Sequence, residues 1–141
     1  MPVTFHSEKT HFKLGQKLQH KQWIKLWIES QEAVCGQLSF VFTSNKHLRL
    51  INTQYLNHNY YTDVVTFDYT EEGMISGDIF ISIDQVRINA GIYGTEEGEE
   101  LRRVMIHGVI HLLGYGDGND EEREAMRQLE NDALHLWLKM V

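Results

Sequence analysis

The chain has 141 residues, a length that fits one domain with a hydrophobic core of its own. Its formal net charge of -7, from 13 basic and 20 acidic residues, gives an overall field that repels nucleic acid, so an RNA partner would need a local basic patch. The single cysteine, Cys35, excludes a disulfide framework or a multi-cysteine metal cluster and is expected to be buried. The sequence shows neither a signal peptide nor a membrane-spanning run, which predicts a cytoplasmic protein with no membrane partner.

In the first half of the chain, hydrophobic periodicity predicts two strands and two helices. They are a strand over Val3–Leu14, an amphipathic helix over Gly15–Gln31 with Leu18 on its apolar face, a strand over Gly36–Thr43 and a short helix over Lys46–Leu56. Trp23 and Trp27 repeat with Ile24 and Ile28 at helical spacing. Both tryptophans are therefore expected in the core and not as a platform for nucleic-acid bases.

The second half predicts two strands followed by three helices. The strands are Val64–Tyr69 and Gly77–Ile83, joined by the polar turn Thr70–Ser76, and the helices are Gln85–Ile92, a helix that begins at Thr95 and runs through Leu101–Leu113, and Asp120–Leu138. Ser82 and Asp84 are candidate caps for the first of these helices. Because helices and strands do not alternate regularly, we predict an α+β fold: a mixed sheet of about four strands covered by helices, in a single domain over residues 1–141.

The segment HGVIHLLGYGD has the spacing of a metal site. His107 and His111 are four residues apart and would share one face of a helix. Gly114 can end that helix in the left-handed conformation, and the reversed chain could return Asp117 to the two imidazoles. Two nitrogens and one carboxylate oxygen leave a fourth position open for water, as in a catalytic zinc site.

The alternative interpretation is that the histidines belong to an ordinary core. The helix is apolar on all sides, so buried imidazoles would need polar partners, and a metal would supply them. A metalloprotease of the H-E-x-x-H type carries a glutamate after its first histidine, but Gly108 stands there and argues against protease chemistry. Gly108 could serve close helix–strand packing or leave room for substrate beside the metal.

Three motifs together resemble the YbeY family of bacterial endoribonucleases. They are TDVVTFD (Thr62–Asp68), GDIFIS (Gly77–Ser82) and HGVIHLLGYGD, and the resemblance covers roughly Leu48 to Glu130. It implies a zinc-dependent hydrolase with a metzincin-like helix and turn, in which metal-bound water attacks a phosphodiester. The three candidate ligands His107, His111 and Asp117 would then hold one Zn2+ per chain. The resemblance also implies rRNA processing at the 3′ end of small-subunit 16S-type rRNA during ribosome biogenesis, with the small subunit or ribosomal proteins as partners and no DNA.

Two positions depart from the family pattern. Asp117 stands where the family has a third histidine ligand, which would weaken the Lewis acidity of the metal and makes manganese or magnesium more plausible; Asp117 could also serve only the turn. Leu56 stands where the family has an arginine that would grip phosphate. His58 is the local substitute, and the other cationic candidates, each also readable as a solvated surface charge, are Lys46, Arg49, Arg87, Arg102 and Arg103.

Further positions match the family less specifically. Asn52, Thr62, Asp63 and Asp78 agree with it, and Asp63 or Asp78 could accept a hydrogen bond from a ligand histidine, or could serve only in caps and turns. Met126 and Glu130 are expected to serve packing and the helix surface. Two other functions stay open: a ribosome-assembly binding factor with a structural or vestigial metal, and a metallohydrolase of small molecules. The sequence leaves the oligomeric state open.

Overall fold

A computed structural model describes residues 3–56 and 62–141, which form a four-stranded sheet and five helices. The elements in chain order are β1 (Val3–Ser7), α1 (Lys17–Ser30), β2 (Val34–Thr43), α2 (Asn45–Leu56), β3 (Val64–Asp68), β4 (Met74–Ser82), α3 (Ile83–Tyr93), α4 (Glu97–Leu112) and α5 (Asp120–Met140). The predicted α+β class is confirmed.

The sheet is mixed, as predicted, with the order β1-β2-β4-β3. β1 and β4 both run parallel to the central strand β2, while β3 pairs antiparallel with β4. β3 is an edge strand because it lies at one end of this order. The chain passes from β3 to β4 through the turn around Gly73, where φ is +78°. The prediction that these two strands are neighbours is confirmed.

The two faces of the sheet carry separate clusters of apolar side chains. The larger cluster joins α1, α4 and α5 to one face and includes Trp23, Trp27 and Ile79, all nearly inaccessible to solvent. The smaller cluster joins α2 to the other face through residues such as Leu48 and Phe80. The tryptophans therefore lie in the core, as their helical spacing predicted.

Some predicted details are wrong. β1 ends at Ser7 and not at Leu14, because its partner strand ends: Ser7 pairs with Phe42, one residue before the end of β2. β4 begins at Met74, inside the predicted turn Thr70–Ser76, because β2 extends far enough to pair with it there. Leu18 is exposed, and Cys35 is only half-buried although its pKa is raised by burial.

α4 is the buried helix that the sequence predicted, since Met105, Ile106 and Ile110 are fully inaccessible. It crosses the sheet so closely at Gly108 that an added Cβ would lie 2.8 Å from Cγ2 of Ile79. Gly108 therefore serves the packing of helix against strand, one of its two proposed roles. Within the part of the chain that the structure describes, no helix is long and apolar enough to cross a membrane.

Candidate metal centre

His107 and His111 lie one helical turn apart on α4, and their Nε2 atoms are 3.0 Å apart. Both imidazoles are partly accessible, although the helix on either side of them is buried against the sheet and α5. The regular i, i+4 spacing therefore places two nitrogens at one point of the surface, as the sequence predicted.

The chain reverses after α4 and brings Asp117 to the same point. Gly114 has φ of +104°, a conformation that a residue with a side chain rarely adopts. The Oδ2 atom of Asp117 lies 3.5 Å from Nε2 of His107 and 3.4 Å from Nε2 of His111. Arg123 contacts the turn at the carbonyl of Asp117, at 3.3 Å. The side chain of Asp117 thus faces the imidazoles, in the place predicted for a third ligand.

The other ring nitrogen of each histidine fixes its tautomer. Nδ1 of His111 donates to the carbonyl oxygen of Tyr115 at 2.9 Å, and Nδ1 of His107 donates to a carboxylate oxygen of Glu130 at 2.6 Å. When a ring is neutral and carries its one proton on Nδ1, its Nε2 atom presents a lone pair toward the other two side chains. In that form three acceptor atoms converge, an arrangement that a cation, either a proton or a metal ion, would stabilise.

The spacing of the three atoms fits a first-row metal ion. Ligand bonds of 2.0–2.2 Å in a tetrahedron place neighbouring ligand atoms about 3.3–3.6 Å apart. The observed separations of 3.0, 3.4 and 3.5 Å lie close to that range. Within residues 3–56 and 62–141, His107, His111 and Asp117 form the set of three side chains that could hold an ion, with all ligand atoms within 4.8 Å of one another.

Glu130 of α5 holds the outer side of His107, a role the sequence interpretation missed. Its Oε1 accepts from Arg103 at 2.9 Å while its Oε2 accepts from His107, and Arg103 also donates to Asn131 at 3.0 Å. Glu130 is buried, so the expectation that it belongs to the helix surface is wrong. One signal was present: Glu130 interrupts the apolar stripe that Met126, Ala133 and Trp137 form along α5.

Charges around His107 raise its pKa. Burial alone would lower it, but the hydrogen bond and negative charge of Glu130, together with the charges of Asp63 and Asp117, outweigh burial. The pKa of Asp63 is itself raised, first by burial and further by the charges of Glu130 and Asp117, while His107 opposes the shift. The acidic surroundings that attract a proton to His107 would also attract a metal ion.

The remaining candidates lie elsewhere. Asp63 lines a cleft beside His107, but the imidazole donates its hydrogen bond to Glu130. Asp78 accepts from the hydroxyl of Tyr69 at 3.3 Å, and strand alternation places it on the sheet face opposite Ile79 and therefore opposite α4. His58 is outside the described residues, and Asn52 is buried in α2.

The surface cations predicted as candidates are mostly engaged in other contacts. Arg103 pairs with Glu130, and Arg87 lies 3.8 Å from Glu97. Arg102 lies over the ring of Trp137, with 4.3 Å between the guanidinium carbon and the ring centroid. Of these three, Arg103 is the one beside the metal centre, and it acts there through Glu130.

The fold and the site together define a class: an α+β domain whose central helix and following turn present two histidines and one aspartate, as metal-dependent hydrolases do. Comparison with known proteins gives the family. The family model described as Endoribonuclease YbeY matches residues 4–137, so the chain belongs to the YbeY family. The resemblance seen in the three motifs is confirmed.

Curated relatives carry the same description. A protein of Parabacteroides distasonis named Endoribonuclease YbeY is 43% identical over 134 residues, which cover 95% of this chain and 94% of the relative. One of Bacteroides thetaiotaomicron with the same name is 41% identical, covering 95% of this chain and 98% of the relative. Membership of this family makes the chain a hydrolytic nuclease of the endoribonuclease class, in a family that acts in rRNA maturation.

The fold is also found in a solved structure. The solution structure of a Thermotoga maritima protein matches 96% of this chain and 88% of its own with a TM-score of 0.69, at 23% sequence identity. At that identity the match shows only that the two proteins share a fold.

Proposed function

We propose that this protein is a cytoplasmic, metal-dependent endoribonuclease, built as one YbeY-like metallohydrolase domain, which processes the 3′ end of small-subunit 16S-type rRNA during ribosome biogenesis. The observation that carries the proposal is the convergence of Nε2 of His107, Nε2 of His111 and Oδ2 of Asp117, which lie 3.0, 3.4 and 3.5 Å from one another. Family membership supplies the substrate class. The small ribosomal subunit or its proteins would be the partners.

The three converging side chains would hold one divalent ion, for which zinc is the first candidate because two imidazoles and one carboxylate suit it. When bound, such an ion supplies a Lewis acid that lowers the pKa of water and stabilises negative charge on phosphoryl oxygens. Since Nδ1 of His107 donates to Glu130 and Nδ1 of His111 donates to the carbonyl of Tyr115, the Nε2 atoms are the ones left to bind the ion.

The residues around the three ligands orient them. Glu130 accepts from His107 while Arg103 balances its charge, so the imidazole keeps one orientation. Two contacts connect the turn that carries Asp117 to the start of α5. Arg123 donates to the carbonyl of Asp117, and the side chain of Asn119 accepts from the backbone of Glu122 at 2.8 Å. The sequence position next to His107 is Gly108, so the base of H-E-x-x-H proteases has no counterpart in this helix.

Metal analysis of purified protein tests the proposal. We expect about one zinc per chain in the parent, and a strong loss of zinc in His111→Ala and in Asp117→Ala. His135→Ala and Asp132→Ala are matched controls, since both residues are exposed on α5, and both should keep the metal. If the Asp117 variant keeps its zinc while the His111 variant loses it, Asp117 is not a ligand.

Cleavage assays then test the activity. The metal-loaded parent should cut single-stranded RNA and shorten a precursor of small-subunit rRNA at its 3′ end, and a chelator should stop both reactions. The His111 and Asp117 variants should be inactive while the two controls remain active. A parent that holds zinc and binds ribosomes but cuts no RNA would overturn the proposal in favour of an assembly factor.

A further inference from the structure

A cleft of about 360 Å³ adjoins the metal centre, and His107 lies in its wall. Its lining also includes Asp63, Tyr93, Thr95, Glu100, Arg103 and Arg127. We propose that this cleft is a subsite for one nucleotide of single-stranded RNA, in which Arg127 binds a phosphate and Tyr93 stacks on the base. The inference rests on the proposed ribonuclease function and deepens it.

Arg127 is suited to bind phosphate because its guanidinium has no bonding partner in the described structure. Across residues 3–56 and 62–141, this exposed side chain makes no hydrogen bond or ion pair, whereas Arg103 is bound by Glu130 and Asn131. A guanidinium presents a planar fork of donors that matches two phosphate oxygens. Since Arg127 has no pair to break, binding phosphate costs it no existing contact.

The position of Arg127 places its charge close to the metal centre. Arg127 lies on α5 one turn before Glu130, the residue that holds His107. A guanidinium from α5 can therefore supply positive charge beside the metal centre.

Tyr93 forms another part of the wall. It is the last residue of α3, and 68% of its surface is exposed although it lines the cleft. An aromatic ring that is not buried by the fold is open to stack on a base, and stacking accepts every base because each has a π-face. Tyr93 would thus add affinity without choosing a sequence.

Other lining residues of the cleft would favour groups other than phosphate. Glu100 is buried there, and Asp63 adds a second carboxyl group. The Oγ1 atom of Thr95 is buried without a hydrogen-bond partner within the described part of the chain. These groups accept hydrogen bonds, so they suit ribose hydroxyls and base amines and disfavour phosphate. The nucleotide would therefore lie with its phosphate outward at Arg127.

Steady-state cleavage of a short fluorogenic single-stranded RNA by the metal-loaded protein tests the subsite. For Arg127→Gln we expect KM to rise about tenfold with kcat little changed, because one charged hydrogen-bonded contact is lost. The salt dependence should also weaken, with the slope of log(kcat/KM) against log salt smaller by about 0.7, the value for one phosphate contact on a single strand. Arg87→Gln removes the same charge outside the cleft and should leave both quantities unchanged.

Tyr93 is tested in the same assay. Tyr93→Leu should raise KM about fivefold, while Tyr93→Phe, which keeps the ring, should retain the parent value. Zinc content and circular dichroism of each variant serve as controls for an intact metal centre and fold. Arg127→Lys is a second variant of the phosphate contact, and it should keep the salt slope of the parent while raising KM.

The outcomes separate the inference from the function on which it rests. If the parent cleaves RNA while Arg127→Gln and Arg87→Gln share its KM and salt slope, the subsite is wrong and the nuclease function stands. If the loaded parent cleaves no RNA, the proposed function fails, and fluorescence anisotropy with the same labelled RNA decides the subsite. Binding that weakens in Arg127→Gln alone supports it, and equal or absent binding overturns it.

Discussion

Replacing Gly108 by alanine tests whether the close approach of α4 to the sheet supports the metal centre. The new Cβ would lie 2.8 Å from Cγ2 and 3.3 Å from Cδ1 of Ile79, and 3.4 Å from Cγ2 of Thr66, so the helix or Ile79 must move. Gly91→Ala in α3 is the matched control, since nothing lies within 4 Å of its Cβ position. Both changes gain helix propensity of about 1 kcal/mol, and this gain cancels when the two variants are compared.

The difference between the variants therefore measures the overpacking, which costs about 1–3 kcal/mol in a well-packed core. Urea unfolding of the metal-free proteins should show Gly91→Ala as stable as the parent or more stable, and Gly108→Ala less stable than Gly91→Ala by that amount. Because Gly108 adjoins His107, its variant should also bind zinc more weakly, whereas Gly91→Ala should bind as the parent does. Equal stability of the two variants would refute the packing argument.

Further predictions concern the ligands, the core and pH. Glu130→Gln should weaken zinc binding about 10- to 100-fold while keeping one zinc site, as measured by competition with a chromogenic chelator; unchanged affinity would contradict the orienting role. Removal of metal should lower the melting temperature of the parent, since an ion that binds only the folded state stabilises it, and should leave that of His111→Ala unchanged. Burial lowers the pKa of His20. The neutral imidazole therefore stabilises the fold when the pH is above its ordinary pKa of 6.5, and this stability is lost as the pH falls through the lowered pKa. The free energy of unfolding of the parent should therefore decrease more than that of His20→Gln between about pH 7 and pH 5. Trp23→Phe removes the 2.7 Å hydrogen bond to the carbonyl of Ala133 and should cost about 1–3 kcal/mol in urea unfolding, whereas no loss would mean that water replaces the indole.

The parts of the site that lie close together in the chain could be predicted from the sequence. The helical spacing of His107 and His111 and the glycine that follows the helix are local features, and they place Asp117 without any knowledge of the sheet. Glu130 was missed because it lies on a different helix from His107, 23 residues further along the chain, and neither helix alone shows how the two dock.

The limits of the strands show the same division. The alternation over Val3–Leu14 was visible, but β1 ends where β2 offers no further partner, and a single segment does not contain that information. The start of β4 at Met74 is likewise decided by pairing with Val34 and Cys35, against the polar character of the turn sequence. Local propensity thus predicted whether a segment forms a helix or a strand, whereas pairing with neighbouring strands determined the length of these strands.

The three candidate ligands all come from residues 107–117, with consequences for folding. Loop closure costs little when the joined residues are close in sequence, so an ion held there would tie together no distant parts of the chain. The long-range contacts of the sheet and of Trp23 with Ala133 involve no residue of that segment. We therefore expect the polypeptide to fold at a rate insensitive to metal, to acquire its ion afterwards, and to exchange it through opening of the turn after α4 rather than through global unfolding.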